Sequence, residues 1–203
     1  MKKLLLFAIM GLIAFQGCQQ AKPVKTIEDL KAGIKGETTA SAKYSAFAQK
    51  AREEGLDTIA KLFDAASKSE SIHASNHTKA LEALGEKMEA FTPEFEVKTT
   101  AENLQAAIDG ESYEVATMYP KFLEDAKLEK DGKAEKSFTW AVDTEKKHQE
   151  FYKQALAALN TNSEKTLSFE YAVCPVCGNT YPKATADAKC AFCQTSQDKF
   201  LTI

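Results

Sequence analysis

Two short motifs, Glu70-Ser71-Ile72-His73 and Glu145-Lys146-Lys147-His148, constrain this chain more than any other feature. Residues three apart share one face of a helix, so each motif sets a carboxylate beside an imidazole. Both fall in segments whose apolar residues recur at three- and four-residue intervals: Ile59, Leu62, Phe63, Ala66, Leu81 and Leu84 in one, Phe138, Ala141, Val142, Phe151, Tyr152 and Leu159 in the other. A third periodic segment carries Glu111 and Glu114 along the line of Ala107, Ile108, Val115 and Met118, and a fourth carries Glu37 between Ile34 and Ala40. Carboxylates on core-facing stripes repel, raise one another's pKa, or need a cation between them.

The order of these segments predicts a bundle. The first helix runs from Thr26 to a stop at Gly55, and the second from Leu56 to Gly85, with no proline between them. Residues 86–98, which include Pro93, lose the helical period and form a connection long enough to cross a bundle end to end. The third helix starts near Thr100 and continues past Pro120, which should kink it; the chain turns near Asp131-Gly132 into a fourth helix ending near Leu159. Two hairpins with short loops and one long crossover give an all-α, ferritin-like four-helix bundle over residues 26–162.

In such hairpins Glu37 and Glu70 meet at one height, as do Glu114 and Glu145. One Glu from each of two helices, with Glu-x-x-His from each of the other two, is the ligand set of di-iron and di-manganese carboxylate bundles. The competing interpretation, solvated charges on amphipathic helices, does not account for two such motifs with matching glutamates. His77 follows His73 by four residues but lies two turns from Glu70, about 10 Å along the axis, and is taken as a non-ligand.

The tail, residues 168–203, is a second unit. A strand-like run from Leu167 to Val173 leads into Cys174-Pro175-Val176-Cys177-Gly178, and twelve residues later Cys190-Ala191-Phe192-Cys193 follows. Two C-x2-C pairs at this spacing form two knuckles closing on one tetrahedral metal. Iron, a structural zinc ion and two disulfides are the three possibilities; so short a unit needs one such staple to fold.

The N-terminus stands apart. Lys2 and Lys3 precede an apolar run from Leu4 to Phe15, then Gln16-Gly17-Cys18. This is an export signal over residues 1–17, and a small residue before Cys18 predicts lipoprotein-type cleavage with acylation of Cys18; a plain signal peptide or an uncleaved anchor are the alternatives. The expected location is therefore the periplasmic side of a membrane, held by a lipid anchor. Setting Cys18 aside leaves the other four of the five cysteines paired in the tail. Removing residues 1–17 takes two lysines and moves the net charge from −3 to −5, and no basic block suggests a nucleic-acid partner.

Taken together, Gly36-Glu37 with Tyr44, Glu70-Ser71-Ile72-His73-Ala74, Gly110-Glu111-Ser112-Tyr113-Glu114 with Met118-Tyr119-Pro120, Glu145-Lys146-Lys147-His148 and the four tail cysteines with Gly178 resemble the rubrerythrins. The resemblance spans roughly residues 26–200. It implies a ferritin-like di-iron domain followed by a rubredoxin-like domain, acting as a peroxidase that reduces hydrogen peroxide to water.

By that resemblance Glu70 and Glu145 bridge two irons, and Glu37, Glu111 and His148 are terminal ligands. Glu114 and His73 alternate on one iron, Tyr44 and Tyr119 hydrogen-bond around the site, and Cys174, Cys177, Cys190 and Cys193 hold a third iron, or zinc. It also implies a head-to-tail homodimer and an electron donor that the sequence does not name. Export departs from the family's usual setting, and Gln194, where a glycine often stands, predicts a differently made turn. An iron-storage or ferroxidase-type protein and a zinc-stabilised envelope module without catalysis are the other functions to weigh.

Overall fold

The computed structural model describes residues 22–203; the signal segment and Cys18 lie outside the described residues. Five α-helices lead: α1 (Val24–Glu53), α2 (Asp57–Ala83), α3 (Thr100–Tyr113), α4 (Tyr119–Leu128) and α5 (Gly132–Asn160). The first two form one long hairpin. Gly55, with φ +75°, ends α1, and the Leu56 amide closes the turn on the Ala51 carbonyl at 2.8 Å. Residues 86–99 then cross over without regular structure to Thr99, whose side chain caps α3 in a reciprocal capping box with Glu102.

The third rod differs from the sequence expectation of one helix kinked at Pro120. Between α3 and α4 the backbone widens into a π-helical turn over Glu114–Met118, and the Tyr119 amide donates to the Glu114 carbonyl, five residues back. Pro120 has no N–H to return to the preceding turn, and the irregularity is taken up upstream of it. The chain turns near Asp131-Gly132, where the sequence places the turn: Lys130, at φ +60°, takes the left-handed position, and Asp131 caps α5 by accepting from the Lys133 and Ala134 amides.

Four rods enclose an interior divided in two. One apolar cluster gathers Tyr44, Phe47, Phe63, Leu104 and Tyr152; the other gathers Leu30, Ile34, Leu81, Tyr119, Phe122 and Phe138. Rings such as Phe47 and Phe63, edge to face at 5.4 Å, anchor the first cluster, where truncating Phe63 to Ala would cost ~3–5 kcal/mol. A band of buried polar residues separates the clusters: Glu37, Glu70, His73, His77, Glu111, Glu145 and His148.

The tail is a three-stranded antiparallel sheet in the order β2-β1-β3, with β1 (Tyr171–Val173), β2 (Thr180–Pro182) and β3 (Leu201–Thr202). The strand expected from Leu167 starts only at Tyr171, because a 3-10 turn over Glu164–Thr166 and the bend after it occupy the preceding residues. Tyr171 and Val173 pack into the Tyr44–Phe63 cluster, so the tail shares the bundle's core.

Candidate metal centre

Helical spacing alone sets most of the site. Glu37 comes from α1, Glu70 and His73 from α2, Glu111 from α3, and Glu145 and His148 from α5, all buried. Their ligand atoms fall into two groups, Glu37, Glu70, His73 and Glu145 in one, and Glu70, Glu111, Glu145 and His148 in the other, each group within 4.8 Å throughout. Glu70 and Glu145 belong to both groups, which places them between two positions, each with its own terminal carboxylate and imidazole.

The donor atoms face each other rather than partners elsewhere. Glu37 Oε2, both Glu70 oxygens, Glu145 Oε1 and His73 Nδ1 are buried and accept or donate no hydrogen bond. Nδ1 of His73 lies 2.7 Å from Glu145 Oε1, and Nδ1 of His148 lies 3.1 Å from Glu70 Oε1. Orphaned buried oxygens and imidazole nitrogens at this density fit a pair of cations of intermediate softness, since carboxylates can bridge and each imidazole can hold one ion.

Electrostatics point the same way. Burial, with the charges of Glu145 and Glu70, pushes Glu37 up to about 7. Burial and the same two charges push Glu111 well above the usual carboxylate range. Burial is the largest single influence on both histidines and works against their charge, but the carboxylates around each together outweigh it: Glu145, Glu37 and Glu70 raise His73 well above its usual value, and Glu70 with Glu145 raises His148 to about 10. Burial also opposes ionisation of Glu70, yet the imidazoles of His148 and His73 hold it at about 2. Left to protons, the cluster must retain several to stay neutral; metal cations supply that charge directly.

Glu114 stands outside both groups. It sits half-buried in the π turn, lining a surface cavity of about 670 Å³ shared with Lys35, Gly36, Lys43 and the crossover residues Phe91 and Glu94. Desolvation and the charges of Glu37 and Glu111 push its carboxyl well above the ordinary range. Tyr44 Oη donates to Glu111 Oε1 at 2.7 Å, and Tyr119 Oη donates to Glu37.

His77 is outside both ligand groups, as its spacing predicts, but has a role that the spacing does not reveal. Its Nε2 donates to Tyr119 Oη at 3.0 Å and its Nδ1 accepts from Ser137 Oγ at 2.7 Å, an order fixed because Tyr119 spends its one proton on Glu37. Burial, with the neighbouring His73, holds His77 down at about 3, so the ring stays neutral. The signal available was its position one turn beyond His73 on the buried face.

The four tail cysteines converge at the second centre. Their sulfurs all lie within 4.8 Å of one another, with Cys174 to Cys193 and Cys177 to Cys190 both at 3.4 Å. A disulfide needs about 2.05 Å, whereas four sulfurs about 2.3 Å from one metal stand about 3.8 Å apart, so the arrangement is a metal cage. The two knuckles match in backbone: Gly178 N donates to Cys174 O at 3.0 Å and Gln194 N to Cys190 O at 2.9 Å. Gln194 adopts φ +62° beside Gly178 at +84°, so the turn there is the same and not the different one expected.

The sequence gives no hint that this cage stands directly over the bundle's histidines. Thr180 Oγ1 donates to the Gly178 carbonyl and accepts from His148 Nε2 at 3.0 Å, which leaves His148 Nδ1 free to ligate. Ser69 Oγ donates to the same carbonyl at 2.7 Å, and Gly178 itself lies against His73 Nε2. Both imidazoles thus turn Nδ1 to the carboxylates and Nε2 to the tail.

Comparison with known proteins agrees with this geometry. Residues 28–156 match the family model for rubrerythrin. Nigerythrin of Nitratidesulfovibrio vulgaris is 39% identical over 86% of this chain and 85% of its own, and rubrerythrin-2 of Clostridium acetobutylicum is 32% identical over 88% and 97%. A mixed-valence structure of nigerythrin superposes with a TM-score of 0.79 at 34% identity, over 88% of this chain and 86% of that one. A bacterioferritin structure from Desulfovibrio desulfuricans, at 20% identity and a TM-score of 0.62 over 74% of this chain and 88% of that one, shares the bundle fold. The carboxylate–histidine cluster has the ligand set of a di-iron centre, and the four-cysteine cage that of a rubredoxin-type site for iron or zinc. On its ligands, its fold and these relatives, the chain belongs to the rubrerythrin family.

Proposed function

We propose that the protein is a peroxidase that reduces hydrogen peroxide to two waters, using two electrons and two protons. The observation that carries this is the seating of a one-electron cage on both imidazoles of a two-metal centre, through Thr180 on His148 and Gly178 on His73. Bound iron supplies the electrons. The chain's own residues do the rest. The cavity beside Glu114 is the approach for a small polar substrate, rimmed by Lys35 and Lys43. Glu114 and Glu37, both held above the usual carboxylate range, keep protons near the reacting oxygens, and Tyr119 fixes Glu37 from behind. Tyr44 holds Glu111 in the same manner.

Export and a lipid on Cys18 would place this chemistry on the periplasmic side of a membrane, fed by a separate electron donor. Where two chains pair head to tail, the surface over His73 and His148 accepts one tail, so pairing through it is a reciprocal exchange of tails. A storage role accounts for the bundle but gives the cage nothing to do.

The test is the reoxidation of the fully reduced, iron-loaded chain. Oxidation by stoichiometric peroxide should be at least a hundred-fold faster than by dissolved oxygen, with the thiolate-to-iron colour of the cage returning in step. Equal rates, or a cage that stays reduced while peroxide is consumed, would overturn the proposal.

A further inference from the structure

Between the two ligands of the fourth rod stands a residue the chemistry above does not use. Lys147 lies within Glu145-Lys146-Lys147-His148, yet its side chain turns away from the carboxylates and into the tail. Its Nζ donates to Asn179 Oδ1 at 2.7 Å and to the Thr180 carbonyl at 3.1 Å. It also lies 4.0 Å from the Tyr181 ring centroid and 5.5 Å from that of Phe192. The contacts continue to sulfur: Asn179 Nδ2 donates to Tyr181 Oη at 2.7 Å and points at Cys190 Sγ at 3.7 Å, with Tyr181 Oη at 3.6 Å from the same atom.

A salt bridge would be the ordinary reason to hold a half-buried lysine in place, but Lys147 makes none with a carboxylate among the described residues. Its hydrogen bonds go to an amide and a carbonyl and its faces to two rings, and the amide it holds, Asn179, points with Tyr181 Oη at a cage sulfur. Desolvating a cation with no carboxylate beside it is costly, and the cost is offset where a delocalised anion lies close by.

We infer that Lys147 is a positioning residue that sets the reduction potential of the four-cysteine iron, by holding a positive charge behind Asn179 and Tyr181, which face Cys190 Sγ, and fastening the tail above His148. The inference rests on the cage holding iron, as the proposed function requires. When a one-electron reductant reduces the cage, no bond breaks and the cage becomes one unit more negative. A fixed cation favours that state, and the low polarity of the tail contact strengthens its effect. One turn of α5 would then hold two ligands of the di-iron centre and the charge that prepares the neighbouring cage to accept an electron.

The experiment is a mediated redox titration of the full iron-loaded chain, following the visible thiolate-to-iron band in wild type, Lys147→Met, Lys147→Arg and Gly178→Ala. At a fixed ambient potential, Lys147→Met should lower the ratio of reduced to oxidised cage about ten-fold, a shift of about 59 mV to lower potential. Lys147→Arg should stay within about two-fold of wild type. Gly178→Ala keeps the lysine and loosens the tail, and is read alongside through protease cleavage within residues 161–170. An unchanged potential in Lys147→Met overturns the inference. So does an equal shift in Lys147→Arg, or a Lys147→Met potential and cleavage rate that both coincide with Gly178→Ala, since any of these assigns the effect to geometry rather than charge. A wild-type chain with no reversible band overturns the functional proposal together with it.

Discussion

Gly178 comes so close to His73 that a Cβ on residue 178 would stand 2.4 Å from Nε2 of the imidazole. The opposite knuckle shows what this means, because Gln194 takes the same left-handed turn with a full side chain. Glycine at 178 is therefore required by the neighbouring ring as well as by the turn. Gly178→Ala should cost ~1–3 kcal/mol in denaturant unfolding through forced repacking. The comparison is Gly55→Ala, also at positive φ but with open space around its Cβ, which should cost only ~1 kcal/mol. Equal losses at the two positions would show that the approach to His73 is unimportant.

Glu70 and Glu114 should separate metal binding from turnover. Glu70 belongs to both ligand groups, so Glu70→Ala should remove both bundle irons while leaving the cage iron, a fall from three irons per chain to one by metal analysis. Glu114 belongs to neither, and Glu114→Ala should keep all three in the reduced protein yet slow peroxide turnover about ten-fold or more. Full turnover in Glu114→Ala would remove that residue from the chemistry.

Tyr119 links His77 to Glu37, accepting from the imidazole Nε2 and donating to the carboxylate. Tyr119→Phe should leave the iron content unchanged and reduce the rate with peroxide about ten-fold, because Glu37 then loses the donor that orients it. Tyr44→Phe should act in the same direction through Glu111. Stopped-flow traces of the two reduced variants give the check, with loss of iron as the contrary result.

His77 gives the fold a dependence on acid. Unfolded, this histidine protonates near 6.5; in the native protein it stays neutral down to about 3. The unfolded state therefore binds more protons across that interval, and the stability contributed by neutral His77 is complete above pH 6.5 and declines as pH falls toward 3. Measured as the difference between wild type and His77→Gln, which cancels groups common to both, the wild-type advantage should shrink by up to about 1.4 kcal/mol per pH unit below 6.5. A difference that does not vary with pH would mean the ring is protonated in the native protein.

The sequence and the structure agree where helical repetition carries the information. Glu70 with His73 and Glu145 with His148 were legible because a spacing of three on an apolar stripe permits few orientations, and the long crossover followed from the loss of period between Gly85 and Thr100. The seat of the tail was not legible, since nothing in residues 161–170 encodes a direction and the contacts that fix it, Thr180 to His148 and Lys147 to Asn179, join residues more than thirty apart in the chain. Gly178 could be read only as a turn residue. Pro120 announced an irregularity but not where it falls, because a missing amide can be accommodated by any arrangement that leaves the preceding carbonyls satisfied.

That arrangement, the widened turn over Glu114–Met118, amounts to one residue more than an α-helix needs between its flanks. Glu111 and Tyr119 are eight positions apart, which at about 100° per residue would set them some 80° from each other around a regular helix; absorbing one residue brings them back to within about 20°. In terms of register, the third rod is an ordinary helix carrying a hidden insertion. Deletion of a residue normally rotates everything beyond it out of place, but here it would leave Glu111 and Tyr119 facing their partners and remove only the slack in which Glu114 sits.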